Sequence, residues 1–170
     1  MATKHPKGLY VLFFTEMWER FGFYLLSALM IFYLTERMHF APARAAGWMG
    51  NYLALVYLSP FFGGLLADRY LGYRRAVLLG AGLLSAGYFM LALDSMVSLY
   101  VAVGLLVLGN GLFKPIISTL VGKIYAVGDE RRDSGFTIFY MGINLGAMIS
   151  PILTQVLAER VFGTADVPAY

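Results

Sequence analysis

The feature that most constrains this chain is a series of five long apolar stretches separated by short charged segments. A helix that crosses the hydrocarbon core of a bilayer needs about 20 consecutive, mostly apolar residues. Within lipid, every backbone polar group must be satisfied inside the segment itself, which favours helices. The sequence therefore predicts an all-α membrane protein with five transmembrane helices, at residues 9–33, 47–67, 76–93, 97–121 and 135–157.

The composition agrees with this prediction and excludes several other classes of protein. Of the 170 residues, 59% are hydrophobic and only 14% are charged, which is not typical of a soluble domain. The chain has no cysteine, so disulfides and cysteine-ligated zinc or iron–sulfur sites are ruled out. A net charge of +3 is too small to indicate nucleic-acid binding. The first apolar run is too long for a signal peptide, so we expect it to stay as a helix.

The basic residues of the separating segments predict the orientation in the membrane. Cytoplasmic loops of membrane proteins carry an excess of lysine and arginine. With a cytoplasmic N-terminus, eight basic residues lie inside and three outside, so we expect this orientation, with residues 159–170 on the outer side. The inner residues are Lys4, Lys7, Arg69, Arg74, Arg75, Lys123, Arg131 and Arg132, and the outer ones are Arg37, Arg44 and Arg160.

The first apolar stretch carries ionisable side chains in its middle, where a charge costs about 2.5–3.5 kcal/mol. Residues three or four positions apart share one face of a helix. The resulting polar stripe consists of Glu16, Glu19, Arg20, Phe23, Tyr24 and Ser27. Such a stripe predicts a protein-lined or water-filled surface. The alternative is that Glu16 and Arg20 neutralise each other as a purely structural pair, which leaves Glu19 unexplained.

The fourth apolar stretch carries one further cation, Lys114, followed by Pro115, which removes a backbone hydrogen bond and bends the helix. The intramembrane charges then balance, with Glu16 and Glu19 against Arg20 and Lys114. The alternative is a lysine that extends to the inner interface. The balanced set favours proton-coupled capture of an anion or zwitterion, because protonating one glutamate would release a cation for a substrate carboxylate.

Small residues recur at four-residue spacing, which predicts close helix packing and not a ligand site. The pairs are Gly63 and Ala67, Gly82 and Ala86, and Gly142 and Gly146.

Four short motifs occur in order along the chain: EMWERFGFY at residues 16–24, GGLLADRYLGYRR at 63–75, GLFKP at 111–115 and FYMGINLG at 139–146. The first and last resemble the E-x-x-E-R-F-x-Y-Y and F-Y-x-x-I-N-x-G signatures of the proton-dependent oligopeptide transporter (POT) family, a branch of the major facilitator superfamily. The second is similar to the superfamily's cytoplasmic motif between helices two and three. The third carries a lysine where the family has one on helix four.

The resemblance implies a transporter of two helical bundles with a peptide site near the midplane between them. This chain would be the N-terminal portion, a partial bundle over residues 1–170, in the plasma or inner membrane. The protein would not be an enzyme and would use no cofactor other than the coupling proton. Its partners would be small peptides, the lipid bilayer and the remaining helices of the same transporter, but no nucleic acid.

The resemblance also implies roles for individual residues. The proton-coupling residues would be Glu16, Glu19, Arg20 and Lys114. The substrate-binding residues would be Arg20, Tyr24, Tyr57, Lys114 and Asn144. The cytoplasmic gate would contain Asp68, Arg69, Arg74 and Arg75. No metal site is implied.

Two residues depart from the family pattern. Phe23 stands where the signature has its first tyrosine, which removes a hydroxyl and bears on substrate preference. Ser27 stands where some members have an arginine, so coupling here depends more on the other charges. Two other functions stay open: a symporter for another small solute, such as nitrate or a sugar, and a structural membrane protein that transports nothing.

Overall fold

A computed structural model describes residues 4–93 and 95–162, with side chains up to Val156. Five α-helices follow one another along the chain, and the described residues form no β-strand. The helices are α1 (Lys7–Phe32), α2 (Pro42–Leu66), α3 (Tyr73–Met90), α4 (Met96–Lys123) and α5 (Arg131–Phe162). The prediction of an all-α fold is confirmed. The predicted outer segment at residues 159–170 falls largely outside the described residues.

Helix α2 shows how the helices differ from the apolar stretches. It begins at Pro42, five residues before the predicted start at residue 47. A proline in the first helical turn needs no hydrogen-bonded N–H, and its fixed φ suits the helix. The helix can therefore begin before the chain becomes continuously apolar. Both α1 and α2 continue into a π-helical turn, at Tyr33–Arg37 and Ala67–Leu71 respectively.

In the described part of the chain, three helical segments are long and apolar enough to cross a membrane: Pro42–Leu71, Met96–Lys123 and Arg131–Val156. Helix α1 has 26 residues but carries three ionisable side chains in its middle. Helix α3 has only 18 residues, and two arginines lie in its first turn. Membrane crossing by α1 and α3 stays a prediction from the sequence.

The structure divides into two compact units. Unit 1 contains the chain up to Arg37 together with the chain from Ile124 onward, and in it α1 packs along α5. Unit 2 is Met38–Lys123, in which α4 packs against both α2 and α3. The assignment of the whole chain to one partial bundle stays a prediction.

Glycines bring the helices of unit 2 into close contact. A Cβ atom on Gly63 of α2 would overlap the carbonyl group of Gly111 on α4. A Cβ atom on Gly80 of α3 would lie 2.9 Å from the carbonyl oxygen of Gly109. The predicted contact at Gly82 is wrong for the described part of the chain: Gly82 is exposed, and no described residue lies within 4 Å of a Cβ atom built on it. The spacing of the small residues correctly predicted that α3 packs closely against another helix. It did not identify which face of α3 makes the contact.

The close approach of α1 and α5 in unit 1 also depends on glycine. A Cβ atom on Gly142 would lie 2.9 Å from the carbonyl oxygen of Phe13, and one on Gly146 would overlap that of Met17. The predicted packing role of this glycine pair is confirmed. It places the middle of α5 directly against the turns of α1 that carry the ionisable residues.

Candidate functional site

The ionisable side chains of α1 form one ion-paired cluster, Glu16–Glu19–Arg20. Arg20 Nε donates to Glu19 Oε2 at 2.5 Å and Arg20 Nη2 donates to Glu19 Oε1 at 2.6 Å. Arg20 Nε also lies 3.5 Å from Glu16 Oε1, one turn earlier. The guanidinium is therefore held in a two-pronged hydrogen bond by one carboxylate, with the second nearby as a looser ion pair.

This cluster is removed from solvent. The side chain of Arg20 is 6% exposed, that of Glu16 is 4% and that of Glu19 is 6%. Charges in such a setting are tolerated only when they are paired and hydrogen-bonded. Two carboxylates against one guanidinium give these three residues a formal charge of −1. If either glutamate took up one proton, the formal charge of the cluster would therefore change from −1 to zero.

The next residues of the stripe support the cluster but differ from one another in exposure. The Arg20 guanidinium carbon lies 4.8 Å from the centroid of the buried Phe23 ring, within the range of a cation–π contact. Tyr24 meets Phe23 edge-on and is 39% exposed. The Ser27 hydroxyl donates to the carbonyl of Phe23 at 2.8 Å, within its own helix.

Asn144 lies in the same unit, but among the described residues its side chain bonds within its own helix and not to the cluster. Its Nδ2 donates to the carbonyl of Tyr140 at 3.2 Å, one turn earlier on α5, and the residue is exposed. It lies two positions from both Gly142 and Gly146, so it occupies the opposite side of α5 from the glycines that face α1. A role in substrate binding stays a prediction.

Two other predicted site residues lie together in unit 2. The ammonium of Lys114 on α4 is 5.2 Å from the centroid of the Tyr57 ring on α2, again within cation–π range. Lys114 is half-buried, whereas Tyr57 is 65% exposed. The contact places the ammonium beside α2, nine residues before the end of α4 at Lys123. The position of Lys114 relative to the membrane interface stays a prediction.

The predicted gate residues lie around the turn between α2 and α3. Asp68 and Arg69 belong to the π-helical turn, and Arg74 and Arg75 lie in the first turn of α3. Gly72 joins the two with a φ of +72°, a conformation that favours glycine. All four charged side chains are exposed, and among the described residues no ion pair links Asp68 to the three arginines. The predicted charge network stays a prediction.

One polar cluster in unit 1 was not predicted from the sequence. His5 Nδ1 lies 2.9 Å from the hydroxyl of Tyr125, and Arg131 Nη1 donates to the carbonyl of Lys4 at 2.7 Å. Arg131 also donates to both carboxylate oxygens of Asp129. The N-terminal segment is thus tied to the segment between α4 and α5. The sequence showed only isolated polar residues here, because the partners are more than a hundred positions apart.

The electrostatics of this N-terminal cluster follow from its contacts. The hydrogen bonds from Arg131 lower the pKa of Asp129 to about 2. Burial raises the pKa of the Tyr125 hydroxyl. At neutral pH the Asp129–Arg131 pair is therefore fully ionised and Tyr125 keeps its proton. These contacts have a structural role: they link the N-terminal segment to the segment between α4 and α5.

The remaining feature of note in unit 2 is a cleft between α2 and α4 with a volume of about 480 Å³. Its walls are almost entirely apolar, as at Phe62, Leu66, Leu108 and Leu112. Such walls offer no partner for a charged substrate group. Among the described residues, no group of three histidine or acidic side chains is placed to hold a metal ion.

Three long apolar helical segments in the described part of the chain, together with a buried ion cluster on α1, define the class: an α-helical membrane protein with charges inside its helical part. Residues 74–165, more than half of the chain, match the model of the POT family. The chain belongs to the POT family, which confirms the resemblance seen in the four motifs.

Individual relatives agree with this assignment. The uncharacterised transporter YclF of Bacillus subtilis is 42% identical over 174 residues, covering 96% of this chain and 35% of that protein. A di-/tripeptide transporter of Lactococcus lactis is 42% identical over 164 residues, covering 92% and 33%. The crystal structure of a mutant peptide transporter POT in complex with alafosfalin is 44% identical with a TM-score of 0.88, covering 94% and 34%. The chain therefore spans about a third of the length of these proteins.

Proposed function

We propose that this chain is the N-terminal part of a proton-coupled symporter for di- and tripeptides that works by alternating access. The observation that carries the proposal is the buried Glu16–Glu19–Arg20 cluster, in which a cation suited to a carboxylate is held by a group that can take up a proton. The Lactococcus relative, named a di-/tripeptide transporter, supports peptides as the substrate class. The protein would be neither an enzyme nor dependent on a cofactor other than the proton.

The coupling follows from the hydrogen bonds of Arg20. Two of its N–H groups are occupied by Glu19, in the geometry with which a guanidinium also grips a substrate carboxylate. When a proton from the bathing solution binds Glu19, that carboxylate loses its charge and its grip weakens. The C-terminal carboxylate of a peptide can then take the place of Glu19 on the guanidinium. Glu16 stays beside Arg20 Nε and limits how far the side chain swings.

The charges explain why proton and peptide travel together. The ionised cluster has a formal charge of −1, which becomes zero when one glutamate is protonated. Binding a peptide carboxylate restores −1. The empty ionised cluster and the protonated cluster with a bound peptide carboxylate therefore carry the same charge, and a buried site tolerates them similarly. The proton alone, or the peptide carboxylate alone, changes the charge of the cluster by one unit. When the peptide leaves, Arg20 pairs with Glu19 again and the proton is released on the other side of the membrane.

The other predicted residues would complete the site. Tyr24 and Tyr57 carry exposed rings suited to peptide side chains, and Lys114, held beside Tyr57, would add a second positive charge for the substrate. Asn144 would add a polar contact. At the turn between α2 and α3, the residues Asp68, Arg69, Arg74 and Arg75 would form part of the cytoplasmic gate. The basic residues at that turn agree with a cytoplasmic N-terminus. The membrane would be the plasma or inner membrane.

The test is uptake by the complete protein reconstituted in liposomes. We expect radiolabelled dialanine to accumulate inside when the lumen is more alkaline than the bath, and a proton ionophore to abolish the accumulation. Unlabelled tripeptide should compete, whereas nitrate and glucose should not. Competition by nitrate or glucose alone would favour a symporter for that solute. Failure to move any of these solutes would favour a structural role and contradict the proposal.

A further inference from the structure

Helix α5 approaches α1 more closely at Gly146 than at Gly142. A Cβ atom on Gly146 would overlap the carbonyl oxygen of Met17 and would lie 3.0 Å from the backbone nitrogen of Phe21 and 3.1 Å from Cβ of Arg20. The described residues with a positive φ do not include Gly146, so it is not needed for a special backbone conformation. Its contribution is the absence of a side chain.

The atoms that Gly146 faces belong to one turn of α1. In an α-helix the N–H of residue i donates to the carbonyl of residue i−4, so Met17 O and Phe21 N are the two ends of one backbone hydrogen bond. Glu19 and Arg20 lie within this turn. The backbone of α5 at Gly146 therefore lies directly against the part of α1 that carries the two-pronged Arg20–Glu19 hydrogen bond.

We propose that Gly146 is a positioning residue for the Glu16–Glu19–Arg20 cluster. Because Gly146 has no side chain, the α5 backbone packs directly against the turn from Met17 to Phe21. This contact fixes the position of the Arg20 Cβ atom and so holds the Arg20 side chain between Glu16 and Glu19. This inference rests on the proposed function, since it assigns a role within the same site. Any larger residue would displace that turn, because the contacts are with backbone atoms, which cannot move aside as a flexible side chain can.

The chain offers matched controls. A Cβ atom on Gly142 would lie 2.9 Å from the Phe13 carbonyl oxygen and 3.0 Å from a carbon of the Phe13 ring, in the same helix pair but one turn away from Arg20. In the part of the chain that the structure describes, nothing lies within 4 Å of a Cβ atom built on Gly82 of α3, so an added methyl group there meets none of these residues. Gly142→Ala tests a general disturbance of the α1–α5 packing, and Gly82→Ala tests the substitution itself.

The experiment compares Gly146→Ala, Gly142→Ala and Gly82→Ala in the complete transporter, reconstituted in equal amounts. Counterflow exchange of labelled dialanine gives KM and the maximal rate without a proton gradient, and proton-driven accumulation is measured in parallel. We expect Gly146→Ala to raise KM and to lower accumulation by about tenfold or more, as misplacing a ligand-holding group does. The maximal exchange rate should stay within about twofold, since the cost is in substrate binding. Gly82→Ala should keep the KM of the unaltered protein, and Gly142→Ala, which disturbs the preceding turn of α1, should raise KM clearly less than Gly146→Ala does.

The outcomes separate this inference from the function on which it rests. If the unaltered protein does not transport dialanine, the proposed function fails. If it does, and Gly146→Ala and Gly142→Ala change KM equally, Gly146 is a general packing residue and the inference is overturned. Should Gly146→Ala not fold, hydrogen exchange of the unaltered protein and of Gly142→Ala decides. The inference requires the amide of Phe21 to be equally protected in both proteins, and loss of protection in Gly142→Ala contradicts it.

Discussion

Substituting Glu19 by glutamine tests the coupling scheme most specifically, because it keeps the size of the side chain but removes its negative charge. In the structure Glu19 accepts two hydrogen bonds from Arg20 and is 6% exposed. A hydrogen bond to a charged group contributes about 1.5–3 kcal/mol to the stability of a folded protein. Breaking a buried pair from one side costs about 3–5 kcal/mol. Glutamine retains one acceptor and Glu16 stays 3.5 Å from Arg20, so we expect a loss of stability near the lower end, about 2–3 kcal/mol.

The functional consequence of Glu19→Gln should be larger than this loss of stability. The glutamine cannot take up a proton, so the release of Arg20 no longer depends on the proton gradient. We expect the complete transporter to equilibrate labelled dialanine across the liposome membrane but not to accumulate it. Counterflow exchange should continue, since Arg20 is still present for the peptide carboxylate. The assay is proton-driven accumulation and counterflow in the same liposome preparation.

The matched control for Glu19→Gln is Glu36→Gln. Glu36 lies in the π-helical turn after α1 and is exposed, so the same chemical change there removes no buried pair. We expect this variant to accumulate dialanine as the unaltered protein does. Normal accumulation by Glu19→Gln, or loss of both accumulation and counterflow, would refute the assignment of Glu19 as the group that couples proton and peptide.

Three further results are expected. Lys114→Ala should impair proton-driven accumulation of dialanine, and accumulation at the unaltered level would remove Lys114 from the site. Gly63→Ala should destabilise the protein by about 1–3 kcal/mol, because a Cβ there overlaps the α4 backbone, whereas Gly82→Ala should leave the thermal unfolding midpoint unchanged. The pKa of Asp129 is lowered from 3.8 to about 2 by its bonds to Arg131, so its contribution to stability is present above about pH 4 and lost as the pH falls towards 2. The difference in unfolding midpoint between the unaltered protein and Asp129→Asn should accordingly be constant from pH 8 to about 5 and shrink below pH 4; a difference that persists at pH 2 would contradict this.

Much of the local structure around the site could be predicted from the sequence. The spacing of Glu16, Glu19 and Arg20 places them on adjacent turns of any helix, and helical geometry then brings the three side chains within reach of one another. The alternative interpretation of Glu16 and Arg20 as a purely structural pair left Glu19 unexplained, and the sequence did not predict that Glu19 makes the closer contact with Arg20. That choice depends on side-chain rotamers, which spacing does not determine.

The substitution at Phe23 is better understood from the structure than from the motif. In the sequence it reads as the loss of a tyrosine hydroxyl. In the structure its ring lies against the guanidinium of Arg20, a contact that needs only the aromatic face. The change to phenylalanine therefore keeps the support of Arg20.

Contacts between distant segments could not be predicted. The small-residue pair at Gly82 and the packed residue Gly80 are two positions apart, and the sequence alone does not say which of the two sides of α3 faces α4. Likewise, His5 and Tyr125 are 120 positions apart, and no periodic pattern links a tail to a loop. The predicted polar contact of Asn144 stays a prediction: the motif draws attention to the residue, whereas its helix face is set by the glycines on either side.

The coupling of proton and peptide is tested most directly by measuring proton uptake when peptide binds to the purified complete transporter. Saturating dialanine is added to the protein in weakly buffered solution near neutral pH, and the change in free proton concentration is recorded. We expect uptake of about one proton per bound peptide, because the peptide carboxylate displaces Glu19 from Arg20 only when the glutamate is protonated. Glu19→Gln should bind dialanine without taking up a proton. Peptide binding to the unaltered protein with no proton uptake would contradict the proposed exchange of Glu19 for the peptide carboxylate.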